Sequence, residues 1–247
     1  MERARLTRYG LLSVTGDDAR AFLHAQLTND IEKLPSNRAA LAGWCSAKGR
    51  LLASFLVIPA DGGFLLQLAR DLAPTVAKRL SMFILRSKVK LADVSDAWGQ
   101  MGIWGEDFGG DIFSVVRENN LLQVKVGDRR ALLLGPEPEM RYRTATGAEE
   151  TWTLEEIRAG RPFISAATQD LFVPQMVNLE TIGGVDFQKG CYPGQEIVAR
   201  AQYRGQVKRR MVRLKAPAGA QLRPGEDFNG GVVVDAAGGE LLAVLPV

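Results

Sequence analysis

The chain has 247 residues, of which 46% are hydrophobic, 24% charged and 7% aromatic. This composition is typical of a globular protein with a sizeable core, and no apolar run approaches the length of a membrane span. The formal net charge is only +3, which by itself does not indicate nucleic-acid binding. The first ten residues contain no apolar signal segment, so we expect a cytoplasmic protein with two reduced cysteines.

The first part of the chain alternates predicted strands with two predicted helices. The first elements are a strand at residues 10–14, a helix to about Leu27, and strands in LAGWCSA and RLLASFLVI that are joined by a tight Lys48-Gly49 turn. A hairpin at residues 61–63 then leads into a strand in FLLQL. The last two elements are a helix, with Leu72, Val76, Leu80, Phe83 and Ile84 at helical spacing, and a strand near KVKLAD. This order predicts an α+β protein of the split-βαβ kind.

The second part begins with short apolar strands between turns, at about residues 96–138. A helix is predicted in TWTLEEIRAGRPF, because Gly160 and Pro162 end its apolar pattern. The stretch LETIGGVDF reads as a turn and a strand, VKRRMVRLKA as a strand and GGVVVDAAGGELLAVLPV as a hairpin. We expect one large region at residues 1–205 and a short segment at 206–247 that is too small to fold alone.

Several chemistries are excluded by counting residues. His24 is the only histidine and lies at the edge of a predicted helical face, which favours a structural role. A Ser-His-Asp triad or a zinc site of cysteine and histidine needs several such groups, so we predict no metal site. No P-loop or dinucleotide-binding glycine motif is present, and two cysteines are too few to hold an iron–sulfur cluster alone.

The stretch FQKGCYPGQEIVARAQYRG, residues 187–205, carries a candidate reactive thiol. Cys191 lies two residues after Lys189 and just before a predicted helix start at Pro193, and both features favour the thiolate. Gly190 and Gly194 permit close backbone approach or positive φ. A buried structural cysteine remains the alternative for Cys191. Cys45, in the apolar run LAGWCSA, is expected to be buried and unreactive.

Positive charge is concentrated around this stretch. Residues 186–213 contain seven basic side chains against two acidic ones, whereas the whole chain carries only +3. A solvated basic face and a site for an anionic ligand or RNA both remain open as interpretations.

The stretch from Val173 to Arg210 closely resembles the signature of the YgfZ family of folate-binding proteins, relatives of the glycine-cleavage T-protein, whose hallmark is K-G-C-Y-x-G-Q-E. The resemblance extends to SVTGDDARAFLHAQLTND and CSAKGRLLASF. It implies a T-protein-like (GcvT/YgfZ) α+β fold, with two interleaved ferredoxin-like lobes and a C-terminal β-barrel. Because the chain ends at Val247, we expect that barrel to be minimal or partly open.

The resemblance also implies site residues and a function. Cys191 and Lys189 are the expected reactive pair. Tetrahydrofolate, or a related reduced folate, is the expected cofactor, and its expected contacts are Tyr9, Trp152, Lys189, Gly190, Tyr192, Gly194, Gln195, Glu196 and Arg200. The implied role is support of iron–sulfur cluster assembly or repair, including the clusters of tRNA-modifying enzymes. The expected partners are iron–sulfur assembly proteins and cluster-bearing client enzymes, with no membrane and weak or no direct nucleic-acid binding.

Two alternatives remain. A folate-dependent one-carbon transferase is disfavoured because T-proteins carry an aspartate pair where this chain has Gly49-Arg50-Leu51-Leu52-Ala53-Ser54. An RNA-associated module using the basic residues between Arg204 and Arg213 is disfavoured because no aromatic residue follows Tyr203 in that stretch.

Overall fold

The computed structural model describes residues 1–205 and 207–247 and divides the chain into two compact units. Unit 1 consists of Met1–Arg20, Lys33–Ala40 and Leu56–Trp152, and unit 2 consists of Ala21–Glu32, Leu41–Phe55 and Thr153–Val247. Each unit is assembled from three separate segments, so the two units are interleaved along the sequence. The expected boundary between residues 205 and 206 stays a prediction.

The described residues form fourteen strands and five α-helices. In chain order they are β1 (Glu2–Arg5), β2 (Tyr9–Thr15), α1 (Ala19–Gln26), β3 (Ala40–Cys45), β4 (Leu51–Ala60), β5 (Gly63–Ala69), α2 (Ala73–Ser81), β6 (Lys90–Asp93), β7 (Trp98–Trp104), β8 (Val115–Glu118), β9 (Leu121–Gly127), β10 (Arg130–Pro136), α3 (Glu137–Met140), α4 (Glu149–Arg158), α5 (Gln195–Tyr203), β11 (Arg209–Lys215), β12 (Asp227–Phe228), β13 (Gly231–Ala237) and β14 (Glu240–Pro246).

Unit 1 contains an antiparallel sheet with strand order β1-β7-β10-β9-β8. In strand β9, Leu122, Val124 and Val126 are buried and alternate with more exposed positions. This alternation is typical of a strand that buries one face of its sheet, because successive side chains point to opposite faces. Met101 and Leu133 pack in a cluster on this sheet. The strand order and alternation therefore give unit 1 a conventional apolar core.

Unit 1 also contains the second half of β4 together with β5, β2 and β6, which pair antiparallel in that order. Six of the seven residues of β5 are buried, which is expected of a strand covered on both faces. Helix α2 contributes Val76 and Leu80 to the buried interior.

Unit 2 ends in an antiparallel sheet with strand order β11-β14-β13-β12. Its apolar centre is formed by Val233, Leu241 and Ala243. Gly238 and Gly239 both have positive φ and make the turn between β13 and β14, as the hairpin prediction requires. The sheets of the described residues do not close into a barrel, so an open four-stranded sheet stands where we expected a small C-terminal β-barrel.

Three local predictions are wrong. The stretch predicted as a strand at GGVDF has irregular backbone, because the Asp186 N–H and the Gly184 carbonyl both bond to Thr28 instead of to a neighbouring strand. Helix α2 ends at Ser81, so Phe83 is not on its buried face. Helix α5 begins at Gln195 and not at Pro193. No helix among the described residues is long and apolar enough to cross a membrane.

Candidate functional site

Lys189 anchors the loop that carries Cys191, and this contact lies wholly within unit 2. Its ammonium donates hydrogen bonds to the carbonyl oxygens of His24 and of Leu27, the latter at 2.8 Å. These carbonyls lie at the C-terminal end of α1, where a helix leaves acceptors without intrahelical donors and where its dipole favours a cation. Lys189 therefore caps α1 from a position 162 residues further along the chain than Leu27.

The buried environment of Lys189 disfavours the charged form of its side chain. Only 7% of its surface is exposed, and this burial lowers the pKa of the ammonium from 10.5 to about 8. The nearby carboxylates of Asp30 and Asp186 act in the opposite direction and limit the fall. Its nitrogen also lies 4.8 Å from the ring centre of Tyr192, within the range of a cation–π contact. Lys189 is therefore held in place by acceptors, carboxylates and an aromatic ring.

Cys191 is exposed, whereas Lys189 and Tyr192 on either side of it are buried. The phenol of Tyr192 stays neutral, because burial raises its pKa above the usual value. The loop thus holds the residues on both sides of the thiol in place and exposes the sulfur to solvent.

Gly194 supports the loop from the downstream side. It has φ of +79°, and a Cβ atom added there would lie 2.3 Å from the Ser46 carbonyl oxygen and 2.7 Å from the Cα of Gly49. A side chain is excluded by both the backbone conformation and the contact. Gly190 has neither property, since an added Cβ would meet only His24 Nε2, at 3.5 Å. The expectation for the two glycines is therefore confirmed for Gly194 and wrong for Gly190.

Cys45 is buried, whereas Cys191 is exposed. It lies at the end of β3 with 1% of its surface exposed, and burial raises the pKa of its thiol to about 12. A thiol in this state is protonated at neutral pH and inaccessible to reagents. The predicted burial of Cys45 is confirmed.

Sequence reasoning missed a role for His24 at the loop. Its Nδ1 atom lies 3.2 Å from a carboxylate oxygen of Asp30, and its Nε2 atom is the neighbour of Gly190. The same Nδ1 atom accepts a hydrogen bond from the Glu32 N–H, at 3.4 Å, so the ring also contacts the segment that follows α1. The helical pattern alone could not reveal this, because the loop meets the end of α1 through a long-range contact.

The two predicted aromatic contacts of folate belong to unit 1. Trp152 has 3% of its surface exposed, and its ring packs on Gly102, where an added Cβ would lie 2.3 Å from the ring. The Arg130 guanidinium carbon lies over the same ring, 5.5 Å from the ring centroid. Tyr9 is also buried and borders an open, polar cavity of about 560 Å³ with Arg5 and other residues of unit 1. Their roles in folate binding stay predictions.

The remaining predicted contacts lie on α5 in unit 2. Glu196 and Arg200 are exposed and one turn apart, and Gln195 is half-buried in the first turn. Within residues 1–205 and 207–247, no group of three or more histidine, cysteine, aspartate or glutamate side chains is arranged to hold a metal ion.

Comparison with known proteins assigns the fold. Residues 6–107 match the family model described as the GCVT N-terminal domain. The glycine cleavage system aminomethyltransferase T from Bartonella henselae has a solved structure that aligns with a TM-score of 0.78, over 99% of this chain and 78% of that one, at 12% sequence identity. The chain therefore has the T-protein-like α+β fold.

Sequence relatives define the family more narrowly. A protein of Haemophilus influenzae is 34% identical over 90% of this chain and 76% of its own length. The "tRNA-modifying protein YgfZ" of Klebsiella pneumoniae is 30% identical over 90% of this chain and 74% of its own length, and its namesake in Vibrio atlanticus is 32% identical over 82% and 66%. The chain belongs to the YgfZ family.

The two glycines of the loop give a matched pair of variants. We expect Gly194→Ala to lower the free energy of unfolding by about 3 kcal/mol, because alanine is strained at positive φ and its Cβ would overlap the Ser46 carbonyl. Gly190→Ala, the control, should change it by less than about 1 kcal/mol. Urea unfolding curves measure both values, and equal losses in the two variants would contradict the loop packing described above.

Lys189 should make stability depend on pH. As the pH rises from 8 to 10.5, the folded state binds the Lys189 proton less than the unfolded state does, so the contribution of Lys189 to the free energy of unfolding should rise with pH. We expect the difference between wild type and Lys189→Met to grow by on the order of 2 kcal/mol across this window. Urea unfolding at several pH values measures it, with Lys215→Met controlling for the loss of one charge. A difference that is flat or falls with pH would show that burial does not lower the pKa of Lys189.

Proposed function

We propose that this chain is a folate-binding accessory factor that supports iron–sulfur cluster assembly or repair, including the clusters of tRNA-modifying enzymes, and that Cys191 is its reacting group. One observation carries the proposal: an exposed thiol lies between two buried, fixed residues, Lys189 and Tyr192. A cysteine that only packs in the core would be buried, as Cys45 is, and not exposed to solvent. Membership of the YgfZ family, with relatives named tRNA-modifying protein, supports the same role.

Cys191 acts together with a partner in this proposal. The described part of the chain has no cluster of ligands for a metal of its own, and iron–sulfur clusters usually take four thiolates. Cys191 therefore serves either by transient thiol chemistry or by donating one ligand to a cluster that a partner protein also holds. Its exposure suits both, because the partner must reach the sulfur.

Tetrahydrofolate is the proposed cofactor, and the chemistry of the exposed residues of α5 fits it. The carboxylate of Glu196 can accept hydrogen bonds from the amino and ring N–H groups of a pterin, and the guanidinium of Arg200 can pair with the carboxylates of the glutamate tail. Lys189 is not proposed for the tail, because its ammonium already bonds to two carbonyl oxygens. The folate, when bound, would supply one-carbon or reducing chemistry that the side chains lack.

The transferase alternative finds no support at β4. Where T-proteins carry their aspartates, Leu51 and Leu52 are buried, and the Ser54 hydroxyl bonds to the Pro162 carbonyl and the Ile164 N–H. These residues serve packing and leave no carboxylate for proton transfer.

The RNA-module alternative is weakened by ion pairing. Arg210 contacts Glu180, and Arg213 lies 3.6 Å from Glu240, so two of the five basic residues between Arg204 and Arg213 are partly neutralised. Fewer charges are then available for phosphates, and we propose at most weak nucleic-acid binding.

The test replaces each cysteine in cells whose own copy is deleted. Cys191→Ser should lower the product of an iron–sulfur tRNA-modifying enzyme to the level of the deletion, because the reacting sulfur is lost. Cys45→Ala, the matched control, should leave it unchanged within about twofold, because Cys45 is buried and protonated. Mass spectrometry of the modified nucleoside in total tRNA measures the effect. Full activity of Cys191→Ser would refute the thiol role.

Purified wild type and Cys191→Ser test folate binding separately from the role of the Cys191 thiol. Calorimetric titration with tetrahydrofolate should show saturable binding in wild type and in Cys191→Ser alike. No saturable binding in wild type would refute the cofactor assignment without affecting the role of Cys191.

A further inference from the structure

The segment after α2 exposes three large apolar side chains within four residues. Helix α2 ends at Ser81, and Met82, Phe83 and Leu85 are then 63%, 47% and 86% exposed. Single exposed apolar residues are common on monomeric proteins, but contiguous ones mark an interaction site. All of these residues belong to unit 1.

The backbone of this segment is fixed. The Phe83 N–H donates to the Leu80 carbonyl at 3.0 Å, and the Lys88 N–H donates to the Asp18 carboxylate at 2.7 Å. A Cβ atom added at Gly16 would lie 2.1 Å from the Lys88 carbonyl oxygen, so the two backbones are in close contact. The exposed side chains are therefore presented on a supported turn, which reduces the entropy lost when a partner binds.

The charged side chains of this segment are all basic, although two carboxylates, those of Asp17 and Asp18, lie against Lys88. Residues 73–92 contain five basic residues and no acidic one, although the whole chain carries only +3. Arg86, Lys88 and Lys90 are exposed beside the apolar run. Lys88 has an ion pair with Asp17, at 3.2 Å, that is solvent-exposed and therefore weak. Arg86, Lys88 and Lys90 outnumber the two carboxylates, and this excess of basic side chains favours an acidic partner.

We propose that the surface formed by Met82, Phe83, Leu85, Arg86, Lys88 and Lys90, hereafter the 82–90 surface, docks a segment of a partner protein in which acidic side chains flank two or three large apolar ones. The apolar side chains bury against each other, and the acidic ones pair with the basic residues. This proposal is independent of the roles proposed for folate and Cys191.

Three other occupants fit less well. A second copy of this chain would bring the same positive charge to a two-fold contact, and like charges repel. Nucleic acid would neutralise the basic residues and could stack on Phe83, but it would leave Met82 and Leu85 in water. A lipid surface would need a longer apolar helix face, and that of α2 is already buried through Val76 and Leu80.

A concave feature beside the apolar run also favours a protein segment. An open cavity of about 750 Å³ is lined by one acidic residue, Asp17, by the basic residues Lys88 and Lys90, and by residues that include Gly16 and Val89. A side chain of a docked segment can enter such a cavity, whereas a flat bilayer cannot.

The experiment selects random dodecapeptides displayed on phage against the intact protein. We expect the enriched sequences to combine Asp or Glu with Leu, Ile, Phe or Met. Binding of the best synthetic peptide, followed by fluorescence anisotropy, should weaken at least about tenfold in Leu85→Ser and in Arg86→Glu. Leu85 is largely exposed, so its replacement should leave the fold intact.

Matched controls replace exposed residues of the same unit outside the 82–90 surface. Tyr142→Ser and Arg141→Glu should change the affinity by less than about twofold. Enriched peptides without acidic residues, or peptides that bind Leu85→Ser normally, would overturn the proposal. So would Leu85-dependent binding to phosphatidylglycerol vesicles, or a dimer in sedimentation velocity that Leu85→Ser dissociates, because these results would assign the surface to a membrane or to a second copy.

Discussion

The hydrogen bonds from Lys189 to the carbonyl oxygens of His24 and Leu27 determine the geometry of the candidate site. The end of α1 offers acceptors that no intrahelical N–H can satisfy, and the ammonium satisfies them at the cost of its own hydration. That cost is visible as the lowered pKa of Lys189. Since Cys191 is only two residues away, fixing Lys189 also fixes the start of the segment that carries the thiol.

The other side of the thiol depends on different contacts. Tyr192 is buried beside Lys189, and Gly194 packs on the turn between β3 and β4 before α5 begins. The same short loop therefore joins the end of a helix, a hairpin turn and the start of a second helix, all within unit 2. These contacts leave no room for a side chain at position 194, so glycine is required there. Cys191 is exposed although the residues that hold the loop are packed.

Local patterns predicted most of the strands and helices and the burial of Cys45, whereas the T-protein-like fold was predicted from the family resemblance. Strands such as β2 and β5 and helix α4 follow directly from apolar periodicity and from their terminating residues. Apolar periodicity gave wrong predictions where contacts between residues distant in the sequence determine the local structure. The stretch GGVDF, predicted as a strand, bonds to Thr28 and has irregular backbone, and the spacing of Phe83 suggested a buried position although the helix ends before it. The contact of His24 with the loop could not be read from α1 alone.

Alkylation of the two cysteines by iodoacetamide tests the central claim, that Lys189 holds Cys191 in a reactive and exposed position. In native wild type, Cys191 should react at least about a hundredfold faster than Cys45, whose thiol is buried with a pKa near 12. Lys189→Met should slow the reaction of Cys191 severalfold, whereas Lys215→Met should not. If Cys191 reacts at the same rate with and without Lys189, the anchoring contact does not control the thiol and the account is wrong.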